Sequence, residues 1–278
     1  LDGFNPFGYH IFNLGLHILN AILLYFVLGK AIRYLCRETM VWEDKNYRFV
    51  SFFAAIIFLC HPIQTEAVIY IISRSEVMAS SFYLGAFLLF QILLEKRFIS
   101  RLQGLGYSLV LFLIVLLGFS VKQIVVTLPA LMVFYYLSGC PDNSPAFLFL
   151  KKWKLLIGGI LFGVGSLLLY KLLTDETFLI GPTRPEELVG RTNYMLSQPG
   201  VIIFYYLKTL LFPMSLNIDP DIEVVTSLGS WKFLAPLFFI IFILVGSLKI
   251  YKTRLIFFFL CWFFIILTPS SSIITLHD

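Results

Sequence analysis

The sequence predicts an all-α, polytopic transmembrane helix bundle, and three observations lead there. Hydrophobic residues make up 59% of the 278 residues and charged residues 13%, against about 25% charged in ordinary soluble domains. Mean hydropathy is +0.89, more apolar surface than a soluble core of this size could hide. The apolar residues also fall in long blocks separated by short basic loops, a spacing that suits a bilayer. The net charge of +5 does not signal nucleic acid, because Lys and Arg lie dispersed between the blocks and form no stripe. The cysteines Cys36, Cys60, Cys140 and Cys261 show no C-x-x-C spacing, which argues against a disulfide framework or a zinc site. No secretory signal opens the chain. Its first residue is Leu1, so it reads as part of a longer protein whose other parts flank a single transmembrane domain, 1–278.

About eight blocks can cross a membrane, at roughly 8–30, 49–60, 77–94, 105–120, 124–138, 155–170, 231–249 and 254–268. As a helix the first would extend about 34 Å at 1.5 Å per residue, enough for a hydrocarbon core of about 30 Å. The second is short because His61-Pro62 follows it, and the residue before a proline disfavours helix. The fourth and fifth meet at Lys122-Gln123, which suggests a tight helical hairpin.

Basic residues set the expected orientation. One set of loops carries Lys30, Arg33, Arg37, Lys45 and Arg48, then Lys96, Arg97 and Arg101, then Lys151, Lys152 and Lys154, then Lys249, Lys252 and Arg254. That is fourteen of the 21 Lys and Arg, so this side is expected to be cytoplasmic and both chain ends extracytoplasmic. The alternation requires that 200–212, bounded by Pro199 and Pro213, does not span. It is expected to be an interfacial helix within an extracytoplasmic segment, 171–230.

The polar residues gather on that same side. The first span carries His10, Asn13, His17 and Asn20, whose steps of 3, 4 and 3 place them on one helix face. They could bond other helices, or His10 could line a cavity. The densest cluster is His61-Pro-Ile-Gln-Thr-Glu66, followed by Ser73-Arg74-Ser75-Glu76. On one continuous helix Glu66 and Arg74 would share a face two turns apart. They could form an interfacial ion pair beside a proline-capped helix start, or an outward pocket for an anionic headgroup. Lys122 could snorkel or hold a phosphate. The acidic run Asp219-Pro-Asp221-Ile-Glu223 lacks the glycine and length of a calcium loop. A divalent metal therefore has no support. No P-loop, G-x-S-x-G, H-E-x-x-H or G-x-G-x-x-G motif occurs.

Taken in order, several motifs resemble the membrane part of the transmembrane and tetratricopeptide-repeat O-mannosyltransferases and their bacterial relatives. They are Tyr9-His-Ile-Phe-Asn-Leu-Gly-Leu-His17, His61-Pro-Ile-Gln-Thr-Glu-Ala-Val, Ser73-Arg-Ser-Glu76, Ser120-Val-Lys-Gln-Ile-Val-Val-Thr-Leu-Pro129, and the runs 198–213 and 268–278. The resemblance implies a GT-C-like glycosyltransferase whose donor substrate is a polyprenyl-phosphate-linked sugar. Its acceptor would be a protein hydroxyl or a glycan on the extracytoplasmic or lumenal side. The membrane would be a bacterial inner membrane, or that of the endoplasmic reticulum in a eukaryote. In that family an acidic residue ahead of the Tyr-His-x-x-Asn span acts as base. No residue of this sequence takes that role, and the catalytic first outer loop is expected to precede Leu1. Arg74 and Lys122 are the candidates for gripping the leaving phosphate, with His61, Glu66, Glu76 and His10 around them. Two other readings remain, a non-catalytic membrane subunit of a complex and a transporter of a lipid-linked solute. A transporter would favour polar groups at the midplane and two related halves, and neither is evident in the sequence.

Overall fold

A computed structural model describes residues 6–36, 44–95, 100–139, 191–214, 216, 223–249 and 254–268. Every regular element among them is helical. The helices are α1 (Phe7–Leu35), α2 (Asp44–Cys60), α3 (Gln64–Ile69), α4 (Arg74–Glu95), α5 (Arg101–Val121), α6 (Leu128–Ser138), α7 (Arg191–Gly200), α8 (Lys208–Leu211), α9 (Trp231–Lys249) and α10 (Arg254–Leu267). A 3-10 turn, Gln123–Thr127, leads into α6, and a π-helical stretch, Val201–Leu207, joins α7 to α8.

Local chemistry explains several of the boundaries. α5 opens with a capping box, in which the Ser100 hydroxyl accepts from the Gln103 amide and the Gln103 side chain accepts from the Ser100 amide. α6 carries Pro129 in its first turn, where the missing N–H costs nothing. Pro199 lies inside α7. Its ring crowds the preceding turn and it has no N–H to donate. The chain absorbs that by widening into the π-helix that follows.

Side-chain pairs fix the relative directions of α1, α2, α4, α5 and α10. Tyr9 stands by Arg74, the Asn20 amide donates to the Val77 carbonyl at 3.0 Å, the Gln91 amide to the Val27 carbonyl at 3.2 Å, and Lys30 pairs with Glu95. α1 and α4 are therefore parallel. α2 runs against α1, since His17 meets Leu59 while Arg33 bonds Tyr47. α5 runs against α4, with Lys122 on Glu76. So does α10, with Trp262 stacked on Tyr83 and Phe258 on Phe87. One end of the bundle, here called upper, thus holds the starts of α1 and α4 and the ends of α2, α5 and α10. The lower end holds Lys30, Arg33 and Glu95.

Among the described residues three helices are long and apolar enough to cross a membrane: Phe7–Leu35, Arg74–Glu95 and Leu102–Val121. Four shorter apolar helices accompany them, at Asn46–Cys60, Gln123–Ser138, Trp231–Ser247 and Arg254–Leu267. This is the all-α membrane-type bundle expected. The block at 155–170 lies outside the described residues. The turn at Lys122 forms, but its two helices do not make an isolated hairpin, because α4 packs against both α5 and α6. The α4–α5 approach is close at Gly118, where a Cβ would sit 2.9 Å from the Phe82 Cβ. The core is aromatic, with Phe87 and Phe258 each in ring contact with Tyr135 and Trp262. On α5, Leu109, Phe112, Leu116 and Leu117 stay exposed, which a bilayer tolerates as solvent.

Candidate functional site

The site begins with a defect in the helical ladder. α2 stops at Cys60 and α3 lasts six residues. The chain then crosses Tyr70–Ser73 without regular helix before α4 starts. Carbonyls at such ends have no partner within their own helix, and unpaired backbone near hydrocarbon is costly. The polar face of α1 supplies donors to the carbonyls at the end of α2 and around the break, and bonds the first turn of α4 besides. His17 Nε2 lies 3.2 Å from the Leu59 carbonyl at the end of α2. Asn13 donates to the carbonyls of Val68 and Tyr70, each at 3.4 Å. Asn20 bonds Val77 in the first turn of α4, and its side-chain oxygen accepts from the Ser81 hydroxyl at 2.7 Å. Asn13, His17 and Asn20 are all buried. Of the two roles open to this face, these three residues make bonds to neighbouring helices and turns. His10, half-buried one turn above them, sits next to Tyr9.

On this frame the upper end carries a charged cluster of its own. Arg74, the first residue of α4, places its guanidinium over the Tyr9 ring, 5.5 Å from the centroid. Glu76 forms an ion pair with Lys122, joining the start of α4 to the end of α5. Glu66 lies outside the hydrophobic blocks, and its carboxyl is raised above the usual 4.5, first by partial burial and then by the negative charge of Glu76. The phenol of Tyr205, in the π-helical stretch, is raised by burial and then by the charge of Glu66. His61 fastens α8, which follows that stretch, to the site. Its Nδ1 accepts from the Ile63 amide at 3.2 Å, so Nε2 carries the proton and donates to the Leu210 carbonyl at 3.0 Å.

Three sequence-based expectations change. Glu66 and Arg74 do not share a helix, because the break at Tyr70–Ser73 separates α3 from α4. They do not pair, since Arg74 lies over Tyr9 and the charge acting on Glu66 is that of Glu76. Lys122 does not snorkel freely into water, because Glu76 neutralises it. The helix expected near 200–212 is part of a longer helical stretch, 191–211, that begins at Arg191 and passes through Pro199. Asp219 and Asp221 lie outside the described residues, and Glu223 pairs with Lys232. Among the described residues no group of three or more His, Cys, Asp or Glu could hold a metal ion. Sequence reasoning missed Tyr9 and Tyr205 as members of the cluster. An aromatic residue declares nothing until the fold sets a charge beside it.

Comparisons with known proteins point one way. The protein O-mannosyl-transferase TMTC1 of Mus musculus is 38% identical over 96 residues, which cover 34% of this chain and 9% of the relative. The human protein of the same name is 39% identical over 88 residues, 32% of this chain and 9% of the relative. The protein O-mannosyl-transferase F38B6.6 of Caenorhabditis elegans is 23% identical over 244 residues, 86% of this chain and 31% of the relative. The chain thus spans between 9% and 31% of the length of these relatives. No protein-family model and no solved structure matches. The proteins that this chain resembles, in the ordered motifs of its sequence and in these alignments alike, are the protein O-mannosyl-transferases.

Proposed function

We propose that this chain is the membrane part of a GT-C-like glycosyltransferase, and that its upper end faces the extracytoplasmic or lumenal side. There it moves a sugar from a polyprenyl-phosphate donor to an acceptor hydroxyl. The observation that carries this reading is the similarity to protein O-mannosyl-transferases, which with one relative extends over 86% of the chain. The clustering of Glu66, Arg74, Glu76 and Lys122 at one end of the bundle supports it. Such an end can receive a donor whose lipid tail stays in the bilayer and whose phosphate sits at its surface. The acceptor oxygen attacks the anomeric carbon while the bond from that carbon to the phosphate oxygen breaks. A carboxylate takes the acceptor proton, and a fixed cation holds the departing phosphate. Arg74 fits that last role best. Its planar fork matches two phosphate oxygens, and Lys122 is already committed to Glu76. In this reading the stretch 191–211 lies along the same interface, with Tyr205 and Leu210 turned to the site.

The test uses the full-length protein in lipid nanodiscs with polyprenyl-phosphate mannose labelled in the sugar. Wild type should bind the lipid and transfer label to protein. Arg74→Ala should weaken binding about ten- to a hundredfold, the range for a lost hydrogen bond to a charged group. Arg74→Lys should recover only part of it. Wild-type affinity in both folded variants would remove Arg74 from the site. Binding without transfer by the wild type would instead favour a carrier of the lipid-linked sugar.

A further inference from the structure

Among the described residues three lysines pair with carboxylates: Lys30 with Glu95, Lys122 with Glu76 and Lys232 with Glu223. Arg74 is different. Among the described residues no carboxylate pairs with it, and its contact is the face of Tyr9. A carboxylate would occupy the in-plane N–H donors of the guanidinium. An aromatic face attracts the charge through its quadrupole and leaves those donors open. The backbone around Arg74 is held as well. Asn13, one turn below Tyr9 on the same face of α1, bonds the carbonyl of Tyr70, and Asn20 bonds that of Val77. The main chain is therefore fixed on both sides of Arg74, and the side chain is fixed by Tyr9.

We propose that Tyr9 is a positioning residue, which holds the Arg74 guanidinium over its ring so that the free edge of the fork meets a lipid-linked phosphate. This rests on the reading of Arg74 as the phosphate ligand. A long arginine side chain otherwise loses much rotamer freedom when it closes on an anion. Tyr9 meets that cost before the ligand arrives, in the folded protein, without competing for the same donors.

The experiment measures binding of a short-chain polyprenyl phosphate to the purified full-length protein in nanodiscs. Tyr9→Leu should weaken binding about two- to fivefold, the range set by a cation–aromatic contact, while Tyr9→Phe should bind as wild type. In an Arg74→Ala background Tyr9→Leu should have no further effect. Phenylalanine at position 9 carrying ring fluorines keeps the shape but weakens the quadrupole. It should fall below Tyr9→Phe, which separates charge attraction from packing even if the leucine variant folds poorly. If Arg74→Ala loses binding while Tyr9→Leu and the fluorinated ring bind as wild type, Tyr9 does not position the arginine, although the phosphate site stands. If Tyr9→Leu weakens binding equally with and without Arg74, its effect is general and the proposal is overturned. If Arg74→Ala itself binds normally, the reading of the phosphate site fails first, and this inference with it.

Discussion

In its lower half the α1–α4 region is packed through Ala31, Ala86 and Phe87, none with exposed surface. In its upper half α1 meets the start of α4 through Tyr9 and Asn20, and the turn before it through Asn13. The lower contact is mainly close apolar packing, with the buried Gln91–Val27 bond and the Lys30–Glu95 pair beside it. Lipid tails are as apolar as the side chains, so its strength lies in close fit and dispersion rather than in escape from water. The upper contact consists of donors aimed at particular carbonyls, where a small shift of one helix along the other would break several bonds together. Directional bonding sits where the neighbouring chain leaves regular helix at Tyr70–Ser73, and the charged cluster sits there too. The lower half holds the bundle together, and the upper half holds a non-helical turn in one shape.

The largest effect on stability should come from the lower half. Phe87→Ala removes a ring that contacts Tyr135, Phe258 and Trp262. In a soluble core this change costs about 3–5 kcal/mol. Within lipid the transfer part is small, so about 2–3 kcal/mol is expected, read from unfolding in a lipid environment. Binding of polyprenyl phosphate by the folded fraction should not change. A large loss of binding at full folding would break the division between the halves.

Asn13→Leu should do the reverse. Two bonds of 3.4 Å disappear, and hydrogen bonds of this kind inside membranes average about 0.6 kcal/mol. The stability loss should therefore be under about 1.5 kcal/mol. Hydrogen exchange should rise sharply at the amides of residues 70–74, and donor affinity should fall. Unchanged exchange there would mean that the turn holds its own shape and that α1 merely lies beside it.

This division was partly legible in the sequence. The apolar blocks expected at 231–249 and 254–268 emerge as Trp231–Lys249 and Arg254–Leu267, because block length and flanking charge carry that information. The polar face of α1 follows from the steps between His10, Asn13, His17 and Asn20. Its targets do not, because they are backbone carbonyls, and every residue has one. The break after α3 was also hidden. No Gly or Pro marks 64–76, so Glu66 and Arg74 read as neighbours on one helix. The pairs Tyr9–Arg74 and Glu76–Lys122 depend on α4 running parallel to α1 and antiparallel to α5, a fact of topology that local patterns do not encode. The stretch 191–211 ran longer than expected because a π-helical widening follows Pro199, where a break would be the usual outcome.

The smallest expected effect is a pH dependence belonging to the upper half. The Glu66 carboxyl is raised above 4.5 in the folded protein, by partial burial and by the charge of Glu76. In the unfolded chain it returns to its ordinary value. Between these two values the folded state binds more protons than the unfolded state, so stability must fall as pH rises through that window. The contribution is fully present below about pH 4.5 and lost above the folded value. Because Glu66 is largely exposed, water screens the effect and the slope should be shallow. Unfolding midpoints measured at steps from about pH 4 to about pH 7 would record it. Glu66→Gln should flatten the slope, and Glu76→Gln should reduce it by removing the second cause. Phe87→Ala should lower every midpoint yet leave the slope contributed by Glu66 in place, since Phe87 lies in the aromatic core and not beside that carboxyl. A slope that survives Glu66→Gln unchanged would assign the titration to another group and detach Glu66 from the charge of Glu76.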